Sequence, residues 1–223
     1  MHIEPGVVSG AKLALGTVTA AGAATVSAKM VWENLVQRGA ASLMARASMA
    51  TAATFIFFEL LPHIAVGPSE VHLILGSTLL LMLGTAPAAI GLALGLLIQG
   101  LFFAPWDLPQ YAMNVTTLLV PLLALHAITK HVVAKGTAYV DLTYAQALKL
   151  STTYQAGIVA WVAFWVFWGE GLSMTTAASI GTFGAAYMTV ILLEPLVDLA
   201  VLAVAKRLHA KGSPLLDARV YAA

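Results

Sequence analysis

The chain has no cysteine among its 223 residues. That removes disulfides, thiolate metal sites and cysteine nucleophiles at once. Charge is almost as scarce: Asp, Glu, Lys and Arg together make up 9% of the sequence, against roughly a quarter in soluble domains. So sparsely charged a chain cannot present water with a surface on every side. There is no basic block and the net charge is only +1, which argues against nucleic acid as a partner. No Gly-x-x-x-x-Gly-Lys-Ser/Thr loop is present to cradle ATP phosphates. The His-Glu-x-x-His zinc-protease motif and the Gly-x-Ser-x-Gly elbow are also missing. The amino terminus lacks the basic region and small-residue cleavage pattern of a secretory signal. Met1 and His2 are therefore expected to stay on the chain.

What the chain has in excess is apolar length. Hydrophobic residues make up 60% of it and the mean hydropathy is +0.89. The class is all-α integral membrane, because a span needs about 20 apolar residues and several such runs occur. The first helix is expected over about Ser9 to Val36, with Gly16, Ala20, Ala24 and Ala28 spaced four apart on one face. Such a stripe allows close helix approach in lipid, either within the chain or to a partner. The second runs from about Ala41 to Leu61, and a loop follows from Pro62 to Pro68. The third starts near Ser69 and ends near Gly84, too short for a full span, so loop should fill part of the depth there. Thr85-Ala86-Pro87 reads as a turn into a fourth helix ending near Phe103. Ala104 to Gln110 is a proline-containing loop, and the fifth helix covers about Tyr111 to Ala134. The sixth covers about Tyr144 to Trp168, with a break at Gly169-Glu170-Gly171. The seventh, about Thr175 to Leu208, exceeds a span and contains Pro195, so a kink or a cytoplasmic extension is expected. About seven transmembrane helices result. They make one membrane domain over residues 1–212, followed by a cytoplasmic tail at 213–223.

Charge placement orients the bundle. With the amino terminus outside, Lys29, Arg38 and Arg46 flank the first inner loop. Lys130, Lys135 and Lys149 flank the third, and Lys206, Arg207, Lys211 and Arg219 gather at the carboxyl end. Ten of the 11 basic residues then lie inside, with Lys12 alone outside. Trp106, Trp165 and Trp168 fit an outer interfacial belt.

The chemistry-bearing residues gather on that outer side. A histidine directly after Met1 offers three nitrogens to one ion: the free amine, the His2 amide and the His2 Nδ1. Together they close fused five- and six-membered chelate rings. Planar nitrogen coordination suits Ni(II) or Cu(II), and less exclusively Co(II); one corner stays open. Of the six histidines, His131 and His209 sit among inner lysines, and His126 lies late in the fifth helix. His63 and His72, on either side of the outer loop, both remain candidates for the open corner. Ser69 reads as a cap for the third helix, with Glu70 in its first turn and His72 one turn in. Asn114, just past the next outer loop, could orient a ligand histidine. Glu59 lies near the outer end of the second helix. Glu194 and Asp198 lie one turn apart on the seventh, and are read as facing the bundle interior or a partner subunit. An alternative is an intramembrane metal-dependent enzyme built on those three acids; another is a structural subunit of a membrane complex.

Three stretches carry a family resemblance: Met1-His2-Ile3 with Glu4-Pro5-Gly6 behind it; the loop from Gly67 to His72; and Leu96-Leu97-Ile98-Gln99-Gly100-Leu101-Phe102-Phe103 with the later Asn114. In these the chain resembles the CbiM/NikM family, the cobalt- and nickel-binding membrane subunits of energy-coupling-factor (ECF) transporters. The likeness extends loosely over the whole membrane region. It implies a seven-helix, non-enzymatic subunit in a prokaryotic cell membrane, importing Co(II) or Ni(II), with cobalamin biosynthesis as one destination. It also implies that Met1, His2 and His72, not His63, hold the ion, while Glu70, Asn114 and His63 stand around them. Glu70 departs from the small residues and threonines of many relatives and adds a carboxylate beside the metal. The implied partners are a transmembrane coupling subunit and two ATPase subunits. A small auxiliary membrane subunit, fused in some relatives, would here be separate. The stripe Gly16, Ala20, Ala24 and Ala28 is the expected contact with the coupling subunit.

Overall fold

The computed structural model describes residues 2–134 and 137–210, with Ile191 and 208–210 by backbone alone. Met1, Lys135, Lys211, Arg219 and the tail expected at 213–223 lie outside the described residues. A 3-10 turn at Gly10–Leu13 leads into α1 (Ala14–Arg38), and α2 (Ala40–Phe55) is prolonged by a π turn at Ile56–Leu60. Two short strands follow, β1 (Ile64–Val66) and β2 (Ser69–Val71), and then α3 (Gly76–Leu83) and α4 (Thr85–Phe102). A 3-10 turn at Pro105–Gln110 enters α5 (Tyr111–Val132). After a further 3-10 turn at Tyr139–Asp141 come α6 (Tyr144–Glu170) and α7 (Met174–Ala210).

This is an all-α membrane protein with seven α-helices among the described residues, of which five, counting α2 with its π extension and α5 with its leading turn, are long and apolar enough to cross a membrane. The common core lies where α3, α4, α5 and α6 meet, around Leu79, Leu92, Leu118, Leu122 and Ile158. Gly91 and Gly95, one turn apart on α4, let α2 press onto its backbone. A Cβ at Gly91 would overlap Ala50, and one at Gly95 would stand 2.6 Å from the Thr54 Cβ. The tight small-residue contact therefore belongs to α4 and α2. On α1, by contrast, only Gly16 and Ala23 are buried. Gly16 rests on Met113 of α5, whereas Ala24 and Ala28 line an open groove of about 400 Å³ with Ala89, Ile90 and Ala93 of α4.

Four expectations are corrected. The third helix does not begin at Ser69: residues 69–71 are a strand and the helix starts seven residues later, at Gly76. The reason is the turn Gly67-Pro68. Gly67 has φ +60, which only glycine adopts freely, and it folds β2 back on β1 in the register Val66↔Ser69, Ala65↔Glu70, Ile64↔Val71. Ser69 thus caps no helix and Glu70 is in no first turn. Thr85-Ala86-Pro87 is not a turn but the first turn of α4, where a missing proline N–H costs nothing. Trp165 is not an interfacial residue: it is fully buried against Ile3, Val8 and Met113. Trp106 and Trp168 are exposed, as expected of a belt. α3, at eight residues, is shorter still than expected. α7 runs as one helix through Pro195.

Candidate metal centre

The amino-terminal residues add a third extended segment to the hairpin. The Glu70 N–H donates to the His2 carbonyl at 2.9 Å, and the Glu4 N–H donates to the Pro68 carbonyl at 3.0 Å. The Ser69 hydroxyl donates to the same His2 carbonyl at 2.9 Å, and Ile3 bridges Ser69 in antiparallel sense. The Ile3 side chain is fully buried with Val8, Met113 and Trp165. Its N–H, equally shut off from water, donates to Asn114 Oδ1 at 3.0 Å. Behind this segment α6 offers bare backbone: a Cβ on Gly169 would collide with the Val7 carbonyl. Lys12 and Trp168 close the seam, Lys12 Nζ donating to the Gly169 carbonyl at 2.7 Å and Trp168 Nε1 to the Lys12 carbonyl at 3.1 Å.

Docking of the terminus in this way carries the His2 imidazole into the protein. His2 and His72 are 3% and 1% exposed, and both rings turn a nitrogen toward one carboxylate oxygen. His2 Nδ1 donates to Glu70 Oε2 at 2.7 Å and His72 Nε2 to the same oxygen at 2.9 Å. The three donor atoms all lie within 4.8 Å of one another. Among the described residues, this is the sole grouping of three or more His, Asp or Glu ligand atoms with metal-site spacing. Burial lowers the pKa of both imidazoles, that of His72 most strongly, so both stay neutral. Burial pushes the Glu70 carboxyl up, but the hydrogen bonds from His2 and His72 override it and hold it below the ordinary carboxylate range. Neutral imidazoles beside an ionised carboxylate are the protonation states that a divalent cation needs.

The surroundings are aromatic on one side and polar on the other. The exposed His63 ring stacks on His72, with centroids 5.2 Å apart and planes 19° apart. Phe58, fully buried, lies 5.3 Å from His72 and 6.3 Å from His2. Asp107, unmarked in the sequence reading, comes within 3.5 Å of His2 Nδ1 through Oδ2. A small cavity of about 10 Å³, room for roughly one water, lies there between His2, Asp107, Tyr111 and Asn114. A lone acid in the proline-containing loop after α4 offered no periodic signal; only its position on the outer side pointed to it.

The other acids are engaged elsewhere. Glu194 accepts the N–H groups of Ile74 and Leu75, and Asp198 accepts the hydroxyls of Ser77, at 2.6 Å, and Thr78. α3 has no side-chain cap of its own and its N-cap residue, Leu75, has φ +51. The two α7 carboxylates thus do from a distance what an N-cap residue does locally. They face the bundle interior, one of the two placements expected. Glu59 accepts a long hydrogen bond from Gln99 Nε2, at 3.4 Å. His126 pairs with Thr85, 2.7 Å apart, and His131 is exposed.

A family model for the cobalt uptake substrate-specific transmembrane region matches residues 2–211. The chain belongs to the CbiM family. Membership makes it a membrane component of metal uptake rather than an enzyme. Two crystal structures share the fold of this CbiM-family chain. One, of a truncated transition metal transporter, is 18% identical with a TM-score of 0.69, covering 95% of this chain and 99% of that one. The other, of a transition metal transporter, is 19% identical with a TM-score of 0.73, covering 97% and 100%. No curated protein matches the chain.

Proposed function

We propose that this chain is the ion-capturing subunit of an ECF-type importer for Co(II) or Ni(II), with its amino terminus on the outer face and its carboxyl terminus inside. The observation that carries the reading is the docked terminus: His2 Nδ1 and His72 Nε2 converge from segments 70 residues apart onto one point. With the Met1 amine and the His2 amide, those two nitrogens complete a four-nitrogen plane, the geometry that suits Ni(II) and accommodates Co(II). Asn114 holds the terminus, Glu70 lies against both imidazoles, and His63 stacks over His72 and orients its ring. The outward orientation draws its support from the ten basic residues it leaves inside.

The proposed partners are a transmembrane coupling subunit, a small auxiliary membrane subunit and two ATPase subunits, the last because this sequence contains no phosphate loop. The open part of the α1 stripe, Ala24 and Ala28 above the groove against α4, is the proposed coupling contact; Gly16 and the half-buried Ala20 lie on its inward continuation. The work of the subunit is capture at the docked terminus, followed by movement against the coupling subunit as ATP is hydrolysed.

The test is an extension of a few residues ahead of Met1, which turns its amine into an amide. Calorimetry should then show loss of high-affinity binding of both ions, as should the His72→Ala variant, with the fold intact by thermal melting. Unchanged affinity in the extended protein would refute the reading.

A further inference from the structure

The position of the Glu70 oxygen relative to the two imidazoles has a geometric meaning. On a first-row ion with bonds of about 2.0–2.1 Å, two adjacent ligands stand that length times √2 apart, roughly 2.9 Å. Glu70 Oε2 lies 2.7 Å from His2 Nδ1 and 2.9 Å from His72 Nε2. It is therefore already at adjacent-ligand spacing from both. In the four-nitrogen plane proposed above, the Met1 amine, His2 amide and His2 Nδ1 take three consecutive corners, and His72 Nε2 takes the fourth. The two imidazole nitrogens are thus neighbours in a plane with no corner left. A further donor adjacent to both can sit only on the axis perpendicular to that plane.

We propose that Glu70 is a fifth, axial ligand of the transported ion through Oε2, so that the site is a square pyramid of four nitrogens and one oxygen rather than a closed nitrogen plane. This rests on the four-nitrogen reading and specifies its chemistry. Charge supports it. A dication bound to a deprotonated amide keeps one uncompensated positive charge, which is costly among side chains as buried as His2 and His72. Of the two carboxylates nearby, Asp107 approaches His2 Nδ1 at 3.5 Å whereas Glu70 touches both imidazoles, so Glu70 is the one placed to bring the site to neutrality. The fold supports it as well, since the pairing Ala65↔Glu70 and the bond from the Glu70 N–H to the His2 carbonyl lock that residue's backbone beside the terminus.

An axial oxygen has a consequence for which ion is preferred. Square-planar Ni(II) is diamagnetic, and a close axial oxygen donor favours the high-spin state. Co(II) accepts five ligands readily, so Glu70 tilts the site toward cobalt. The experiment loads the full chain, purified in detergent, with nickel chloride or cobalt chloride alone, and compares it with Glu70→Gln and Glu70→Ala. Glutamine keeps the shape and a hydrogen-bond acceptor but is a poor ligand. Wild-type protein should hold paramagnetic Ni(II), and both variants should hold diamagnetic Ni(II). The ratio of cobalt to nickel affinity should fall about tenfold or more in the variants.

Diamagnetic nickel in the wild type overturns the proposal. So does an equal loss of both ions with the nickel spectrum unchanged, which makes Glu70 a hydrogen-bonding strut alone. Indifference to an extension ahead of Met1 removes the four-nitrogen plane itself, and with it this inference.

Discussion

Asn114→Ala tests how the metal centre is held together without touching a proposed ligand. Asn114 Oδ1 accepts the Ile3 N–H at 3.0 Å, and Ile3 is fully buried. Removing the acceptor strands that N–H away from water, at a cost of about 1–3 kcal/mol. The cost falls on the docked arrangement alone, because an undocked Ile3 N–H is hydrated. Apparent affinity scales with the fraction of molecules whose terminus is docked, so binding should weaken roughly 5- to 150-fold. The upper figure applies if docking holds by a small margin. The loss is smaller than either figure if the bonds from Glu70 and Ser69 to the His2 carbonyl, and from Glu4 to Pro68, hold it strongly, because most molecules then stay docked. Nickel calorimetry on the purified variant measures the loss, with thermal melting to show that the bundle survives. Asn114→Asp, which keeps the acceptor oxygen, should recover most of the affinity. Unchanged affinity in Asn114→Ala together with unchanged hydrogen-exchange protection of the Ile3 N–H would refute the claim that this bond anchors the terminus.

Gly169→Ala should undock the terminus too, since the new methyl would occupy the place of the Val7 carbonyl; metal affinity should fall at least tenfold, by about 1.4 kcal/mol or more, and Gly22→Ala on the open side of α1 should leave it unchanged. Glu194→Ala removes the shared acceptor of the Ile74 and Leu75 N–H groups, so it should lower the stability of the bundle by about 1–3 kcal/mol, read as a reduced melting temperature, while Glu194→Gln, which keeps one acceptor oxygen, should lose less. Metal affinity should fall as the pH drops from about 8 to about 5, because binding displaces protons from the Met1 amine and the His2 amide throughout that range, and it should fall more steeply below about 6.5. Burial depresses the pKa of His2 and His72 from the ordinary 6.5, so the undocked terminus binds protons first, and acid in the window below 6.5 favours undocking. Nickel titrations across pH 5 to 8 check this, and an affinity that rises on acidification would contradict it.

Much of the architecture was legible in the chain itself. The number of helices and most of their rough limits came from apolar run length, because lipid imposes one dominant requirement on every residue it touches. The value of His2 as a chelating residue also needed no fold, since its amide and imidazole are covalently fixed to each other. The region of His72 was located, but its conformation was misread. Ser69-Glu70 ahead of an apolar run resembles a capped helix start, whereas Ser69–Val71 are held as a strand by partners in β1 and at residues 2–4. Hydrogen bonds from distant segments override local propensity there. Gly67-Pro68 was the available warning, a turn signal that local capping logic outweighed.

By itself, then, the sequence determined the membrane class, the helical content and the residue types able to bind a metal. Only the tertiary structure decided that Glu70 stands between the two histidines, that Asp107 approaches them, that Trp165 is buried, and that α1 keeps an open face. Hydropathy and helical period are properties of neighbouring residues. Placing His2, Glu70, Asp107 and Asn114 around one point requires the terminus to fold back across the hairpin, and that return is set by pairing and packing over more than 60 residues of separation.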